Sequence, residues 1–353
     1  MALHGGETPA SLGYRWPAEW EPHAATWLAW PHNLETWPGQ LEEAEAAFVE
    51  IVRALHLHEV VRIAVGDAAL EARARRTLAS AGVDAADGQG VFFHGITTDD
   101  AWVRDHGPTF VVRDRDGVRE TVALDLGFDA WGGKYPPWDR DASVPAAIAA
   151  ELGLRCFRSE GVLEGGSIEG NGRGTILTTE QCLLHENRGA RSRAAVEQQL
   201  AEELGARQVV WLEGGIAGDD TDGHVDDIAR FVSPDTVVTA RPDDDAHPDA
   251  AALRSAEHRL RAARDADGKP LAVATLPVPP LQPGPDGPLP ASYANFYLAN
   301  EVCLVPTFAS PADARALETL AELLPGRRIV GIDSRVLVVG LGAIHCLTQQ
   351  QPA

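Results

Sequence analysis

Apolar residues recur at helical spacing in five segments of the chain, and each segment ends near a glycine or a polar turn. This spacing predicts helices over residues 40–56, 68–82, 191–205, 251–266 and 312–326. Short runs rich in β-branched and apolar residues lie between them and predict strands. The predicted strands cover residues 60–66, 109–114, 174–179, 182–185, 208–215, 228–240, 295–306 and 335–340.

The order of these elements predicts a repeated α/β unit. Strands, a helix and further strands follow one another at intervals of roughly 60 to 75 residues. Internal repetition is also indicated by "LEGGSIEG" at 163–170, which is echoed by "LEGGIAGD" at 212–219. The stretch 277–292 is rich in proline and glycine and is predicted to be a surface loop. A chain of 353 residues therefore suggests two domains or one large repeated architecture.

The charge balance narrows the class of partner. The chain has 30 Lys plus Arg against 52 Asp plus Glu, a formal net charge of -22. This argues against nucleic acid and favours small cationic molecules. No apolar stretch is long enough to span a membrane, and the N-terminal segment lacks the features of a signal peptide. We therefore expect a cytoplasmic protein with no membrane partner, and homo-oligomerisation stays open.

The cysteines are Cys156, Cys182, Cys303 and Cys346, which lie far apart without a paired spacing. Neither a zinc site nor a disulfide framework is indicated, and we expect reduced thiols. Cys346 follows His345 in "GLGAIHC" near the end of an apolar run. It is either a small buried hydrophobic residue or a reactive thiol, and its own window does not decide between them.

Three polar, glycine-punctuated windows adjoin predicted strands at 97–110, 162–174 and 215–231. Functional residues are commonly placed at such strand ends. In "GHVDD", His224 and Asp226 are two positions apart and are predicted to share one face of a strand. His224 is a candidate acid/base, a candidate metal ligand or a polar turn residue.

The other two windows carry similar alternatives. Trp102 and Asp105 in "WVRDHGP" offer an aromatic wall and an anion, or else a buried tryptophan beside an Arg104–Asp105 structural pair. Glu164 in "LEGG" is either a functional carboxylate on a glycine-flanked turn or part of a simple tight turn. No glycine-rich stretch fits a phosphate-binding loop.

A cluster of these residues suits a guanidinium substrate. A guanidinium group is planar, presents five N–H donors in a fixed fork and is held best by several carboxylates. Carboxylates that hold it also fix its carbon in front of a thiolate. The candidate cluster consists of Asp105, Glu164, His224, Asp226 and Cys346.

Five motifs, in order, resemble those of agmatine deiminases, which belong with the bacterial-type peptidylarginine deiminases in the guanidine-modifying superfamily. They are "DDAWVRDHGPTF", "LEGGSIEGNGRGTILTT", "GDDTDGHVDDIARF", "ASYANFYLANEVCLVPTF" and "GAIHCLTQQQP". The likeness begins at "WPAEWEPHAATWLAWPHN" and covers nearly the whole chain. It implies the pentein fold, a five-bladed pseudo-symmetric α/β propeller of ββαβ-like repeats, with residues 1–353 as one catalytic domain.

The resemblance also implies an activity and residue roles. The implied reaction is hydrolysis of agmatine to N-carbamoylputrescine and ammonia through a covalent amidino-cysteine intermediate, without a metal or organic cofactor. The implied roles are Cys346 as nucleophile, His224 as acid/base, Asp105, Glu164 and Asp226 as carboxylates around the substrate, and Trp102 and Asn295 as pocket residues. The turn before the implied nucleophile departs from a "GGGNIHC"-like pattern at Leu341 and Ala343, a difference that bears on substrate preference.

Three other functions remain possible from the sequence. An arginine or peptidyl-arginine deiminase would share the chemistry, a metal-dependent ureohydrolase would use His224 and the carboxylates as ligands, and a guanidine-binding protein would catalyse nothing. Asp220, on a glycine-flanked loop four residues before His224, is predicted to face an ammonium tail. Lys134 and Arg104 are candidates for binding an arginine carboxylate instead, or for ordinary structural pairing.

Overall fold

The structure is a computed structural model that describes residues 7–83, residue 85 and residues 90–353. The first six residues of the N-terminal segment considered above lie outside this range. In the described residues the strands are β1 (His23–Ala29), β2 (Val60–Ala64), β3 (Val91–His94), β4 (Thr109–Arg115), β5 (Val118–Asp125), β6 (Cys156–Arg158), β7 (Ile168–Gly170), β8 (Thr175–Thr179), β9 (Gln208–Leu212), β10 (Ala229–Phe231), β11 (Thr236–Ala240), β12 (Ala272–Leu276), β13 (Gln282–Pro283), β14 (Pro288–Leu289), β15 (Tyr297–Leu298), β16 (Val302–Thr307), β17 (Arg328–Asp333) and β18 (Gln349–Pro352).

The helices alternate with these strands. They are α1 (Leu41–Leu55), α2 (Ala68–Ser80), α3 (Val103–His106), α4 (Ala130–Gly133), α5 (Val144–Glu151), α6 (Glu180–Leu183), α7 (Arg193–Leu204), α8 (Ala250–Ala262) and α9 (Pro311–Leu323). Within the described ranges, none of them combines the length and the apolar character needed to cross a membrane.

One arrangement of strands and helix recurs through the described chain. Two antiparallel strands are followed by a helix and by a third strand that runs parallel to the second. The units are β4-β5-α5-β6, β7-β8-α7-β9, β10-β11-α8-β12, β15-β16-α9-β17 and β18-β1-α1-β2. The predicted repeat of ββαβ-like units is confirmed. That the whole chain forms a single catalytic domain stays a prediction.

The last unit closes the series because its first strand comes from the C-terminal end. In the antiparallel pairing of β18 with β1, Gln349 lies opposite Trp27 and Pro352 opposite His23. The Trp27 indole also donates a hydrogen bond to Gln351. This pairing fixes the position of Cys346, which precedes β18 by three residues.

Each unit helix packs on its own buried apolar cluster. The clusters around α1, α7, α9, α8 and α5 contain most of the large buried side chains, including Phe48 and Leu200. Helix ends are fixed locally. Ser310 forms a capping box with Asp313 at the start of α9, and Ser192 caps α7 while Gly205 ends it in the left-handed region.

The five predicted helices are confirmed, with ends that differ from the prediction by at most four residues. Two predicted strands are wrong. Residues 182–185 lie in the last turn of α6 and just beyond it. This helix is capped at its start by the Thr179 hydroxyl, which accepts a hydrogen bond from the backbone N–H of Cys182. The apolar run 335–340 forms a 3-10 helix at Leu337–Gly340. Short apolar runs do not distinguish a strand from a helical turn, which explains both errors.

Helix α5, the stretch 277–292 and the two "LEGG" segments complete the comparison with the predicted organisation. Helix α5 was not predicted, because its Ala-rich sequence has no polar stripe to give helical spacing. The stretch 277–292 contains only the short β13-β14 hairpin, and the predicted surface loop is confirmed for residues 280–287, which are mostly exposed, whereas residues 289–292 are buried. The two "LEGG" segments follow β6 and β9, the third strands of successive units.

Candidate active site

The predicted site residues lie in the segments that lead into the first strand of each unit. Trp102 and Asp105 precede β4, and Glu164 precedes β7. His224 and Asp226 precede β10. Asn295 precedes β15 and Cys346 precedes β18, so all five units contribute one such segment. The repeat therefore brings residues together that are up to 244 positions apart in sequence (Trp102 to Cys346).

Cys346 lies in a buried position among polar groups. Its side chain is 8% exposed. The Asn295 amide donates a hydrogen bond to Sγ at 3.2 Å, and Sγ lies 3.8 Å from Oδ2 of Asp226. Asn295 also donates to Oδ1 of Asp227 at 3.0 Å. The sulfur thus has one neutral donor and a carboxylate beside it.

His224 is held by its backbone while its ring is unpartnered. The carboxylate of Asp219 accepts from the His224 backbone N–H at 3.0 Å. Neither ring nitrogen has a hydrogen-bond partner, and Nδ1 lies 3.8 Å from Oδ1 of Asp105. His224 and Asp226 do not share a strand face as predicted, because Val225–Asp227 form a 3-10 turn.

The negative field around His224 decides its protonation. Burial works to lower the pKa of His224, but the carboxylates, led by Asp105 and Asp226, outweigh it and hold the pKa above its usual value. The ring is therefore an imidazolium over more of the neutral range than a free histidine. An imidazolium in this position is suited to proton donation.

Asp105 is fixed through both of its carboxylate oxygens and Glu164 through one. Asp105 accepts from the backbone N–H of Gly166 at 2.8 Å and from the Trp131 indole at 3.0 Å. Glu164 accepts from Nε of Arg188 at 2.8 Å, while its other oxygen is buried without a partner. The alternative of an Arg104–Asp105 structural pair is not found among the described contacts of these two residues.

Asp226 is positioned by a buried network behind the site. His345 bridges Oδ2 of Asp226 at 2.6 Å and Oε2 of Glu19 at 2.8 Å. Arg230 lies 2.8 Å from both Glu19 and Glu169. Burial works to raise the pKa of Asp226, but the hydrogen bond from His345 and the nearby positive charges hold it below its usual value. Oδ1 of Asp226 has no partner and is free to accept a ligand donor.

Gly342 keeps a gap between Trp102 and the nucleophile. A Cβ at Gly342 would lie 2.5 Å from the Trp102 ring and 3.1 Å from Cβ of Cys346. Trp102 itself is buried against Trp37, with ring centroids 5.5 Å apart. The neighbouring Leu341 has φ 69°, where the resemblance implied a glycine. A leucine in the left-handed region costs about 1–2 kcal/mol.

The residues considered for the substrate tail lie in one cluster. Asp220 is 41% exposed and accepts a hydrogen bond from Tyr135. Lys134 lies 3.6 Å from Asp220 and 3.0 Å from Asp222. Arg104, by contrast, is buried against Gln350 and Glu19. Its contacts are those of structural pairing.

Several residues at the site were not singled out from the sequence. The acidic run "GDDTDGHVDD" contains Asp219 and Asp227, and it carried a signal in its unusual number of carboxylates. Burial and the neighbouring Asp226 raise the pKa of Asp227 well above its usual value. Trp131 and Arg188 carried no signal, because their partners Asp105 and Glu164 are distant in sequence.

One group of potential metal ligands also occurs in the described residues. The ligand atoms of Glu164, Cys182 and His224 lie within 4.8 Å of one another. The cysteine and histidine spacing gave no sign of it, because the three residues come from separate segments. Cys346 is not a member of this group.

Burial, Asp226 and Asp227 raise the pKa of Cys346 well above its usual value. We therefore expect alkylation of Cys346 by neutral iodoacetamide in the ligand-free protein to rise about tenfold per pH unit through pH 9 without levelling off. Peptide mass mapping after timed quenching measures this rate at one cysteine. A synthetic peptide of residues 343–349 is the control and should level off near pH 8.5. A plateau for the folded protein at or below that pH would contradict the prediction.

The family model described as Porphyromonas-type peptidyl-arginine deiminase matches residues 15–352. The agmatine deiminase of Ectopseudomonas mendocina is 39% identical over 371 residues, covering 98% of this chain and 97% of that protein. The agmatine deiminase of Pseudomonas putida is 39% identical over 370 residues, with the same coverage. A solved structure of the agmatine deiminase of Enterococcus faecalis superposes with a TM-score of 0.91 at 34% identity, covering 99% of both chains.

Proposed function

This chain belongs to the Porphyromonas-type peptidyl-arginine deiminase family, and from that membership we infer that it hydrolyses agmatine to N-carbamoylputrescine and ammonia. The similarity of the whole chain to agmatine deiminases supports the substrate. One observation supports the chemistry. A buried thiol, an imidazole whose pKa is raised by the surrounding carboxylates despite its burial, and three carboxylates meet in one place, and several of their polar atoms lack partners.

The substrate cation activates the nucleophile in this proposal. In the ligand-free protein burial, together with the neighbouring carboxylates, raises the pKa of Cys346 and disfavours a thiolate there. A guanidinium bound to Asp105, Glu164 and Asp226 brings positive charge close to the sulfur and reverses this effect. The thiol proton is released as the cation enters. The unpartnered oxygens of Glu164 and Asp226 accept guanidinium N–H groups.

Two chemical steps follow. The thiolate attacks the guanidinium carbon and forms a C–S bond, and His224 gives its proton to the nitrogen that leaves as ammonia. His224, now neutral, takes a proton from a water that attacks the same carbon. The C–S bond then breaks and the thiolate returns, while the new hydroxyl group loses its proton to solvent, where ammonia takes it up as ammonium, and N-carbamoylputrescine leaves. Trp102 and Asn295 confine the reacting carbon beside Sγ.

Product analysis tests the function. Purified protein with agmatine should release ammonia and N-carbamoylputrescine in equal amounts, and EDTA should not reduce the rate. Urea and putrescine as products, with activity lost to EDTA and restored by Mn²⁺, would instead support a metal-dependent ureohydrolase. Binding of agmatine without turnover would support a guanidine-binding protein.

Substrate preference tests the tail site. We propose that Asp220 favours a terminal ammonium and disfavours the α-carboxylate of arginine. Asp220→Asn is expected to lower kcat/KM for agmatine about tenfold and to reduce the ratio of kcat/KM for agmatine to kcat/KM for arginine. The expected loss is moderate because the Asp220 carboxylate is exposed and its charge is partly balanced by Lys134. The measurement is kcat/KM for both substrates.

Asp116→Asn is the matched control for this change. Asp116 lies in the exposed turn between β4 and β5, and the substitution removes the same charge from the protein. It should leave the ratio of the two substrates unchanged. An unchanged ratio in Asp220→Asn as well would refute the tail assignment without affecting the thiolate chemistry.

A further inference from the structure

Glu164, Cys182 and His224 form a buried group that the proposed reaction uses only in part. Their relative exposures are 0%, 0% and 1%. They come from the segment before β7, from α6 and from the segment before β10. The proposed mechanism needs Glu164 and His224, but it gives Cys182 no task.

The group has free binding capacity. One oxygen of Glu164 is occupied by Arg188, and the other has no partner. Both ring nitrogens of His224 are also unpartnered. A guanidinium substrate accounts for the free atoms of Glu164 and His224, since it would bind them. It does not account for a sulfur within 4.8 Å of both.

The donor types select the class of ligand. A thiolate, an imidazole and a carboxylate are the ligands that Zn²⁺ prefers in proteins. Zinc–sulfur and zinc–nitrogen bonds of about 2.3 and 2.0 Å place tetrahedral donors about 3.5 Å apart. Donors that already lie within 4.8 Å of one another reach this spacing through small side-chain rotations. The half-buried Asp219 carboxylate also lies close enough to act electrostatically on the Cys182 thiol.

We propose that Glu164, Cys182 and His224 form an inhibitory zinc site. Binding displaces the proton of the Cys182 thiol and that of the His224 imidazolium, and the two anionic ligands balance the charge of the ion. The bound ion occupies the free oxygen of Glu164 and a ring nitrogen of His224, so it competes with the guanidino substrate. The inhibitory effect rests on the proposed function, but the binding of zinc does not.

Binding is tested first without the nucleophile. The Cys346→Ala variant is used because the Cys346 thiol could itself bind zinc. Equilibrium dialysis of this variant with zinc chloride is expected to give one bound ion per chain. Adding Cys182→Ala should weaken this binding by roughly tenfold or more, because even the loss of a second-shell partner costs 10–100-fold. Adding Cys156→Ala instead is the matched control and should change nothing, since Cys156 is a more exposed thiol outside the group. Equal zinc affinity with and without Cys182 overturns the proposal.

Inhibition is tested in the active protein. Zinc should inhibit competitively with agmatine, and Cys182→Ala should raise the half-inhibitory concentration about tenfold or more while keeping turnover without zinc. If Cys182→Ala does not fold, Co²⁺ added to the Cys346→Ala/Cys156→Ala protein should produce a near-ultraviolet thiolate-to-cobalt absorption. Absence of that band overturns the proposal. A protein that binds zinc through Cys182 but deiminates nothing retains the metal site and refutes the proposed function.

Discussion

Cys346→Ser is expected to lower kcat for agmatine by at least about 10⁴-fold while leaving the fold intact. A hydroxyl is far harder to ionise than a thiol near neutral pH, and the carboxylates around position 346 oppose an anion further. The similar size of serine preserves packing in a site that is almost fully buried. Steady-state ammonia release and circular dichroism measure the two effects.

A direct observation of the intermediate completes this test. Rapid acid quench of the wild-type protein during turnover should show a mass increase equal to agmatine minus ammonia, located on Cys346. Cys156→Ser is the matched control, because it makes the same change at a partly buried thiol outside the site, and it should retain both activity and adduct. Near-wild-type turnover in Cys346→Ser would exclude the thiolate mechanism.

Gly166→Ala is expected to lower kcat/KM about 10²-fold or more. A Cβ at this position would lie 2.5 Å from Nδ1 of His224, 2.9 Å from Oδ1 of Asp105 and 3.1 Å from Oδ2 of Asp226. These side chains would have to move by a large fraction of an ångström, and misplacement by about 1 Å costs roughly 10²-fold in rate. The added methyl group also fills space that a guanidinium would enter.

Gly95→Ala controls for the loss of glycine flexibility. Gly95 is exposed, and a Cβ there would meet no heavy atom within 4 Å. This variant should have wild-type kinetics. Thermal unfolding distinguishes a local displacement from loss of the fold. If a folded Gly166→Ala protein kept kcat/KM within about threefold of wild type, the space in front of His224 would not be the substrate site.

The sequence predicted best those features that depend on residues close together along the chain. Helical spacing predicted α1, α7 and α9, because each buries one stripe of side chains. The glycine-punctuated polar windows pointed to Asp105, Glu164 and His224, which the five-unit repeat brings to one place. The resemblance supplied what spacing lacked, the closure of the repeat.

Properties that depend on distant pairs could not be predicted in the same way. His345 contacts Asp226, 119 residues away, and Glu19, 326 residues away. Neither contact leaves a local pattern. The same holds for Cys182, which reaches the site only because α6 lies beside two separate connecting segments. The apolar run 335–340 before Cys346 was mispredicted for a different reason. Over six residues, the sequence of a 3-10 helix cannot be distinguished from that of a strand.

The pairing of β18 with β1 also sets an order of events during synthesis. Sheets such as β4-β5-β6 and β7-β8-β9 pair segments that are close in sequence, so each can form soon after it leaves the ribosome. Strand β1 can pair early with β2, but its antiparallel partner β18 lies more than 320 residues later, and such long-range pairing is slow to form. The segment that carries Cys346, the proposed nucleophile, is translated just before that partner. A nascent chain therefore cannot assemble the proposed active site before residues 349–352 have been synthesised and have paired with β1.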